Sequence, residues 1–404
     1  MYVLEFLSGL MKGQAPQEPI LCEYRLVCSG IVYNSDVKTT DWTKSSYAKV
    51  ILNKPVNLIV ANEHITDYPQ ELSLRFVTSL VKEQSGENMQ ISFYPDEDVA
   101  RDLAAILSLL FRRLVIVGGK IRQVFLSPDE SMPDFLHDRP IGIISSLNKT
   151  HWERHPSIIE YGPRGTERLI DYNPSPKAIQ STMAAKILSA LPKMPHAVSI
   201  VQSARLYALA LERMHKEVDM SYQLLVACIE NIANDSMKSF RPDEAEIIAT
   251  KQSVFNLALQ FGLSKEQSIQ IAVEATKGMN WNTKKFLNFL QDNISDELWI
   301  EEDDTFRVPE RFIPPKDDFE DAIKKIYQTR GKVAHSGGEY PPSASVGLGP
   351  TLPSRQLFNA YGLKSAFPPL PWFERVVNIA LRRFIERNIE AILRDTDSLG
   401  ANNT

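Results

Sequence analysis

The spacing of apolar residues changes near residue 175, and this change is the strongest constraint that the sequence places on the fold. Before it, short apolar runs alternate with turn-forming residues, as in residues 20–33, which is typical of strands. After it, apolar residues recur every three or four positions between helix-capping signals. We therefore predict an α+β chain with a mixed α/β domain over residues 1–170 and an all-α bundle over residues 175–404.

In the first half, the sequence predicts several short strands and one helix. The helix starts after Pro95 and ends at Arg112-Arg113, and a hairpin turning at Gly118-Gly119-Lys120 follows it. Residues 127–176 are rich in proline and turn formers, so we expect a docked loop and linker there. The predicted strands cover residues 20–33 as a pair broken at Ser29-Gly30, 50–52, 58–60 and 89–94.

The second half contains a series of predicted helices, the fifth of which opens with a capping box at Ser264. The helix that ends at Ser336 is followed by Gly337-Gly338, a typical stop signal. A disordered tail is predicted for residues 395–404. The predicted helices cover residues 179–191, 197–215, a segment from Asp219 to about 233, 243–261, a segment from 264, 282–290, 317–336 and 372–394.

Composition narrows the class of protein. The 404 residues carry a net charge of −5, so RNA binding would need a local basic patch rather than a global field. The three cysteines fit neither a disulfide framework nor a zinc cluster, which favours reduced thiols and a cytoplasmic location. The N-terminal segment lacks a basic flank and no apolar run reaches membrane-spanning length, so we expect a soluble protein without membrane contact. No metal or cofactor is predicted.

One charged residue is out of place in the predicted helix over residues 317–336. Arg330 falls within the apolar stripe that Ile323, Ile326 and Val333 define at about 100° per residue. An arginine there must be paired or face a cleft, because an unpaired buried charge is costly. Glu230 stands at the edge of the apolar stripe of another predicted helix. These two residues therefore predict an ion pair or a polar pocket between two helices.

His335 lies five residues after Arg330, near the end of the same helix. At helical pitch the two side chains point about 140° apart, so they do not share a face. A distortion at Gly331, fraying of the last turn, or a second subunit would be needed to bring them together. A helix C-terminus favours a protonated histidine, which suits proton transfer.

Arg330 and His335 form an Arg-x4-His motif followed by Ser-Gly-Gly, which resembles the signature of HEPN-domain ribonucleases. Residues 222–231 (YQLLVACIEN) resemble the Tyr-x-x-Leu-Val-x-x-Ile-Glu pattern of the ApeA-like HEPN group. The segment 319–330 (FEDAIKKIYQTR) resembles that group's entry into its Arg-x4-His helix. The resemblance covers residues from about 196 to 394.

The resemblance implies metal-independent RNA cleavage by a helical, usually dimeric domain, in antiviral defence or as a toxin. His335 would transfer protons, Arg330 would stabilise charge on the phosphate, and Glu230 would orient one of them. The RNA target would be tRNA or single-stranded RNA, and a homodimer would supply a base and an acid together. Three further cations are the predicted RNA contacts, namely Lys332, Arg382 and Arg383.

Simpler interpretations stay open beside these. The family often carries asparagine or aspartate directly after the arginine, whereas this chain has Gly331, so the domain could bind RNA, a nucleotide or a protein without catalysis. Arg330 and Glu230 could form a purely structural ion pair, and His335 could interact only with the helix dipole. Arg112-Arg113 is interpreted as a solvated helix end rather than an RNA patch. His151 and His155 lack a third metal ligand nearby.

Overall fold

The computed structural model describes an α+β protein in which helices predominate. The described residues are 20–28, 31–33, 40–41, 49–52, 56–57, 70–78, 81–85, 89–93, 95–125, 177–179, 187, 190–214, 217–300, 313–345 and 367–401. The predicted strand 58–60, the whole predicted linker 127–176, and both His151 and His155 lie outside this part of the chain.

A twisted antiparallel sheet occupies the N-terminal half, in the order β3-β4-β6-β1-β9, with β5 also paired to β6. β7 and β8 form a separate antiparallel pair, and β10 pairs in parallel with β2. The strands are β1 (Ile20–Cys28), β2 (Ile31–Tyr33), β3 (Thr40–Asp41), β4 (Lys49–Leu52), β5 (Val56–Asn57), β6 (Gln70–Thr78), β7 (Val81–Ser85), β8 (Met89–Phe93), β9 (Ile116–Phe125) and β10 (Lys177–Ile179).

The predicted hairpin around Gly118-Gly119 is wrong, because β9 is one strand paired along β1. The pairing shifts register twice, between Glu23 and Tyr24 and between Arg25 and Leu26. Irregularities of this kind let a strand absorb residues that local sequence would assign to a turn. Gly119 lies in this stretch with φ of 121°, a value that suits glycine.

The helices follow the caps that the sequence displays. Ser264 forms the predicted capping box with Gln267, and Gly337 ends a helix in the left-handed conformation at φ of 66°. The helices are α1 (Asp96–Phe111), α2 (Ala197–Arg213), α3 (Val218–Ser236), α4 (Glu244–Thr250), α5 (Gln252–Gln260), α6 (Lys265–Thr276), α7 (Asn282–Asn293), α8 (Glu297–Ile300), α9 (Phe319–Ser336) and α10 (Leu370–Ala401).

Three details of the helical half differ from prediction. Residues 177–179 form β10 rather than leading directly into a helix, because β2 offers them a strand to pair with. The predicted helix over residues 243–261 is two helices, α4 and α5, interrupted at Lys251. The last helix runs to Ala401, well into the tail that we predicted to be disordered.

One continuous apolar core links the sheet to the helices. Buried residues of β1, β6 and α1 belong to the same cluster as those of α2, α3, α7, α9 and α10. α1 packs against α2 on one side and contacts the sheet and α10 on others. The division at residues 170–175 stays a prediction, but α1 shares its buried face with helices from beyond that point.

A buried polar network fastens α1 to this core. Glu374 of α10 has no exposed surface and accepts hydrogen bonds from Arg112 Nε at 3.0 Å and from the Tyr207 hydroxyl. Asn378 donates to the Leu109 carbonyl at 2.8 Å and to Tyr207 at 3.1 Å. Burial and the adjacent Glu374 carboxylate raise the pKa of Tyr207 well above its ordinary value, so it stays a hydrogen-bond donor.

The interpretation of Arg112-Arg113 as a solvated helix end is therefore wrong. Arg112 is 8 % exposed and Arg113 is 4 % exposed. A buried arginine requires a carboxylate, and Glu374 is 262 residues away in sequence. No local pattern around Arg112 could indicate that partner.

Candidate functional site

α9 carries the residues of the candidate site, and its sequence explains both of its ends. A 3₁₀ turn at Lys316–Asp318 leads into it, and Glu320 and Asp321 place negative charge in its first turn, where the helix dipole favours it. At the other end the Gly337 N–H donates to the Val333 carbonyl at 3.0 Å. The helix is continuous between these points.

Arg330 pairs with Glu230 of α3, as one of the two predicted alternatives requires. Its Nη2 donates to Glu230 Oε2 at 2.9 Å. The carboxylate side chain is 14 % exposed and the arginine side chain is 34 % exposed. The pair therefore lies at the edge of the helix packing, where part of the arginine side chain is in contact with solvent. Arginine has five N–H donors, so others remain for a ligand.

Tyr327 completes this site, although in the sequence it is an ordinary aromatic member of the apolar stripe that Ile323 and Ile326 define. Its hydroxyl donates to Glu230 Oε1 at 2.7 Å, so Tyr327 and Arg330 hold both carboxylate oxygens. Burial, together with the hydrogen bond to Glu230 and its charge, raises the pKa of Tyr327 to about 12. The signal that could have revealed it is its position three residues before Arg330, on the same helix face.

Phe286 of α7 packs on the Tyr327 ring. The two ring centroids lie 4.9 Å apart, and the rings are tilted by 48°. Thr283 of the same helix lowers the pKa of Tyr327, against the larger effect of burial. The hydrogen bonds at this site therefore join Tyr327 and Arg330 to the two oxygens of Glu230.

His335 does not belong to this hydrogen-bonded group. It is exposed, near the end of α9, and the helix is regular through Ser336. Neither a distortion at Gly331 nor fraying of the last turn brings it to Arg330, so the two remain about 140° apart around the helix. Lys332 is exposed as well and lies three residues before His335, which places these two on one face.

The segment after α9 is fastened to α3. The Tyr340 N–H donates to Asp219 Oδ1 at 3.1 Å, and its ring stacks on Tyr222 at 4.6 Å between centroids. Asp219, where the sequence predicts the start of this helix, lies inside the first turn of α3, and its carboxylate binds this returning segment. The two ends of the exposed stretch 334–339 are thereby held in place.

The predicted RNA contacts on α10 do not join Arg330. Arg382 Nη2 donates to Glu297 of α8 at 2.8 Å, which commits it to a helix contact. Arg383 is half-buried, and no contact of its side chain with the Arg330 site is present among the described residues. Of the predicted site residues, the structure brings together only Arg330 and Glu230.

A second polar cluster surrounds Asp235 at the end of α3. Its Oδ2 accepts from the Ser199 hydroxyl at 2.7 Å and lies 2.8 Å from His196 Nδ1, while Lys238 pairs with Oδ1 at 2.5 Å. Burial alone would raise the pKa of Asp235, but these three partners outweigh it and lower the pKa to about 2. Both Ser199 and His196 face the carboxylate rather than each other, so this is a helix-end anchor and not a catalytic triad.

The described residues contain no group of three or more His, Cys, Asp or Glu side chains placed to hold a metal ion. No helix among them is both long and apolar enough to cross a membrane. Comparisons of the chain with protein-family models, with curated proteins and with solved structures give no match.

Proposed function

We propose that the chain is an endoribonuclease of the HEPN type, with residues 175–404 as the helical HEPN-like bundle, acting on single-stranded RNA or tRNA without a metal. The observation that carries this proposal is the ion pair of Arg330 with Glu230 at a solvent-reachable edge. It presents a guanidinium in a fixed orientation on the helix that also carries the exposed His335. In the cell, this activity would serve antiviral defence or act as a toxin.

Arg330 would act on the phosphate. RNA cleavage by the neighbouring 2′-hydroxyl passes through a pentacoordinate phosphate with two negatively charged oxygens. A guanidinium can donate two parallel hydrogen bonds to such a group. Glu230 and Tyr327 are positioning residues here, because one N–H of Arg330 is held by the carboxylate that Tyr327 also binds.

His335 would transfer the protons, which requires a second copy of the chain. One imidazole would take the proton of the 2′-hydroxyl, and the partner's His335 would protonate the 5′-oxygen that leaves. The bond that forms joins the 2′-oxygen to phosphorus, and the products are a 2′,3′-cyclic phosphate and a 5′-hydroxyl. A twofold axis beside the exposed Lys332 and His335 would place both histidines at one site.

The second candidate function is a non-catalytic module that binds RNA, a nucleotide or a protein. One specific observation favours it: Glu230 is fully engaged by Arg330 and Tyr327, as in a structural ion pair. A charge held in this way stabilises helix packing whether or not a substrate is present.

The deciding experiment is cleavage of labelled single-stranded RNA and tRNA in EDTA. We expect fragments with 2′,3′-cyclic phosphate ends, and a loss of at least about 100-fold for His335→Ala and for Arg330→Ala. His196→Ala is the matched control, because it removes a histidine from the Asp235 cluster and leaves α9 untouched. If wild type and His335→Ala are equally inert on every RNA, the non-catalytic function holds.

Protein concentration tests the two-subunit site separately. Specific activity should fall on dilution in parallel with the dimer fraction measured by sedimentation velocity. Constant specific activity in samples that sediment as monomers would rule out a site shared between two chains.

A further inference from the structure

An open cleft of about 420 Å³ lies between α4 and the start of α7. Its volume is within the range of small-molecule sites. α4, α5 and α6 pack on one another, and their buried residues Ile247, Ala258 and Ala272 are absent from the main core cluster. The cleft thus separates a small helical unit from the bundle that carries Arg330.

The two walls of the cleft are joined by an ion pair. Lys284 of α7 lies 2.5 Å from Glu246 of α4, and both residues line the cleft. The pair bridges the two walls on one side of the cleft.

The residues that line the cleft offer groups that can bind a flat heterocycle. Trp281, Met279 and Leu287 supply an indole face, a polarisable thioether and an aliphatic surface. Asn282 and Thr283 add an amide and a hydroxyl that can bond to the edge of a base. Proteins that bind single-stranded RNA stack its bases on aromatic side chains and hydrogen-bond their edges in this way.

Helix α7 connects the cleft to the candidate catalytic residues. Its residues Thr283 and Leu287 line the cleft, and its Phe286 ring lies 4.9 Å from the Tyr327 ring. Tyr327 in turn binds the same carboxylate as Arg330. A nucleotide chain that places its phosphate at Arg330 can direct a neighbouring base towards this cleft.

We propose that the cleft between α4 and α7 binds one unpaired nucleobase next to the phosphate that Arg330 contacts. This inference rests on the proposed function, which supplies RNA as the substrate. Trp281 stacks on the base, and Asn282 and Thr283 contact its edge. The cleft therefore selects unpaired RNA, since a base in a duplex cannot leave its stack without loss of pairing.

The test uses short RNAs with 2′-O-methyl groups, which lack the attacking hydroxyl and cannot be cleaved. A fluorescein-labelled octamer is compared by anisotropy with a series in which each position in turn lacks its base. We expect the loss of one particular base to weaken binding by about tenfold or more, as expected for one stacked base. The losses at other positions should be smaller.

Two variants assign that position to the cleft. Ala249→Phe fills it from an exposed position on α4, and Trp281→Ala removes the stacking surface. In both variants, the full octamer and the octamer that lacks the critical base should bind with the same affinity. Phe261→Ala is the matched control, because Phe261 is 78 % exposed on the same helical unit and does not line the cleft; it should bind like wild type.

The outcomes separate this inference from the proposed function. If the loss of one particular base weakens binding and both cleft variants erase that difference, the base site is supported, even if the wild-type chain cleaves no RNA. If the chain cleaves RNA but binds all the abasic octamers equally well, the base site alone is overturned. The same conclusion follows if Ala249→Phe and Trp281→Ala leave the difference unchanged. Lack of RNA binding by the wild type overturns it as well.

Discussion

Glu230 on α3 and Arg330 on α9 meet at 2.9 Å although one hundred residues separate them in the chain. The carboxylate is much less exposed than the guanidinium, at 14 % against 34 %. The less exposed carboxylate of Glu230 therefore holds one nitrogen of a guanidinium whose side chain remains partly exposed. This difference in exposure suits an arginine that keeps a fixed orientation and also binds an anion.

The first prediction concerns the energy of this contact. Arg330→Ala and Glu230→Ala should each lower the free energy of unfolding by about 1–2 kcal/mol, because each leaves a half-buried partner without its hydrogen bond. The double variant should lose about 1 kcal/mol less than the sum of the two. Urea unfolding of the four proteins measures this coupling. Strictly additive losses would mean that the two side chains do not interact in solution.

The second prediction concerns the buried network at Glu374. Glu374→Gln should lower the free energy of unfolding by about 3–5 kcal/mol, because it removes the carboxylate that balances the buried Arg112. Glu97→Gln is the control: Glu97 pairs with Arg101 at the surface, where both side chains are 63 % exposed, and its loss should change stability by less than about 0.5 kcal/mol. Equal effects of the two substitutions would contradict the buried pairing.

The third prediction compares two glycines of the same helix. Gly331 lies inside α9, and a Cβ built there meets no atom within 4 Å. Gly331→Ala should therefore stabilise the protein by about 0.5–1 kcal/mol and raise Tm. Gly337→Ala should destabilise it by about 1 kcal/mol or more, because its φ of 66° is unfavourable for a side chain. The reverse order of Tm values would show that α9 ends elsewhere.

The fourth prediction concerns acid stability. The pKa of Asp235 is lowered from 3.8 to about 2 in the folded chain, so its ionised form stabilises the fold above pH 4. That contribution disappears as the pH falls from about 5 to 2. The free energy of unfolding of the wild type should exceed that of Asp235→Asn by about 1 kcal/mol at pH 6, and this difference should shrink towards pH 2. Denaturant unfolding of both proteins across this pH range measures the difference. A difference that does not change with pH would exclude the carboxylate as its source.

Most features that depend on residues close together in the sequence were predicted correctly, and most features that depend on distant residues were not. Helix α9 was predicted within a few residues because its periodicity and its glycine stop are local signals. Arg330 was identified because a charge in an apolar stripe is visible without a structure. Tyr327 escaped notice because a tyrosine in such a stripe is ordinary. The continuous strand β9 was mistaken for a hairpin because its partner strand is about a hundred residues upstream.

By itself, the sequence determined where most helices begin and end, that the chain combines α and β structure, and that Arg330 needs a partner. These properties depend on residues a few positions apart, which share a face or a cap. Only the tertiary structure decided that Tyr327 and Arg330 share the Glu230 carboxylate, that Glu374 balances Arg112, and that α7 both lines a cleft and packs on Tyr327. Those contacts depend on how helices pack, and packing distances between residues far apart in the chain are not encoded in any local pattern.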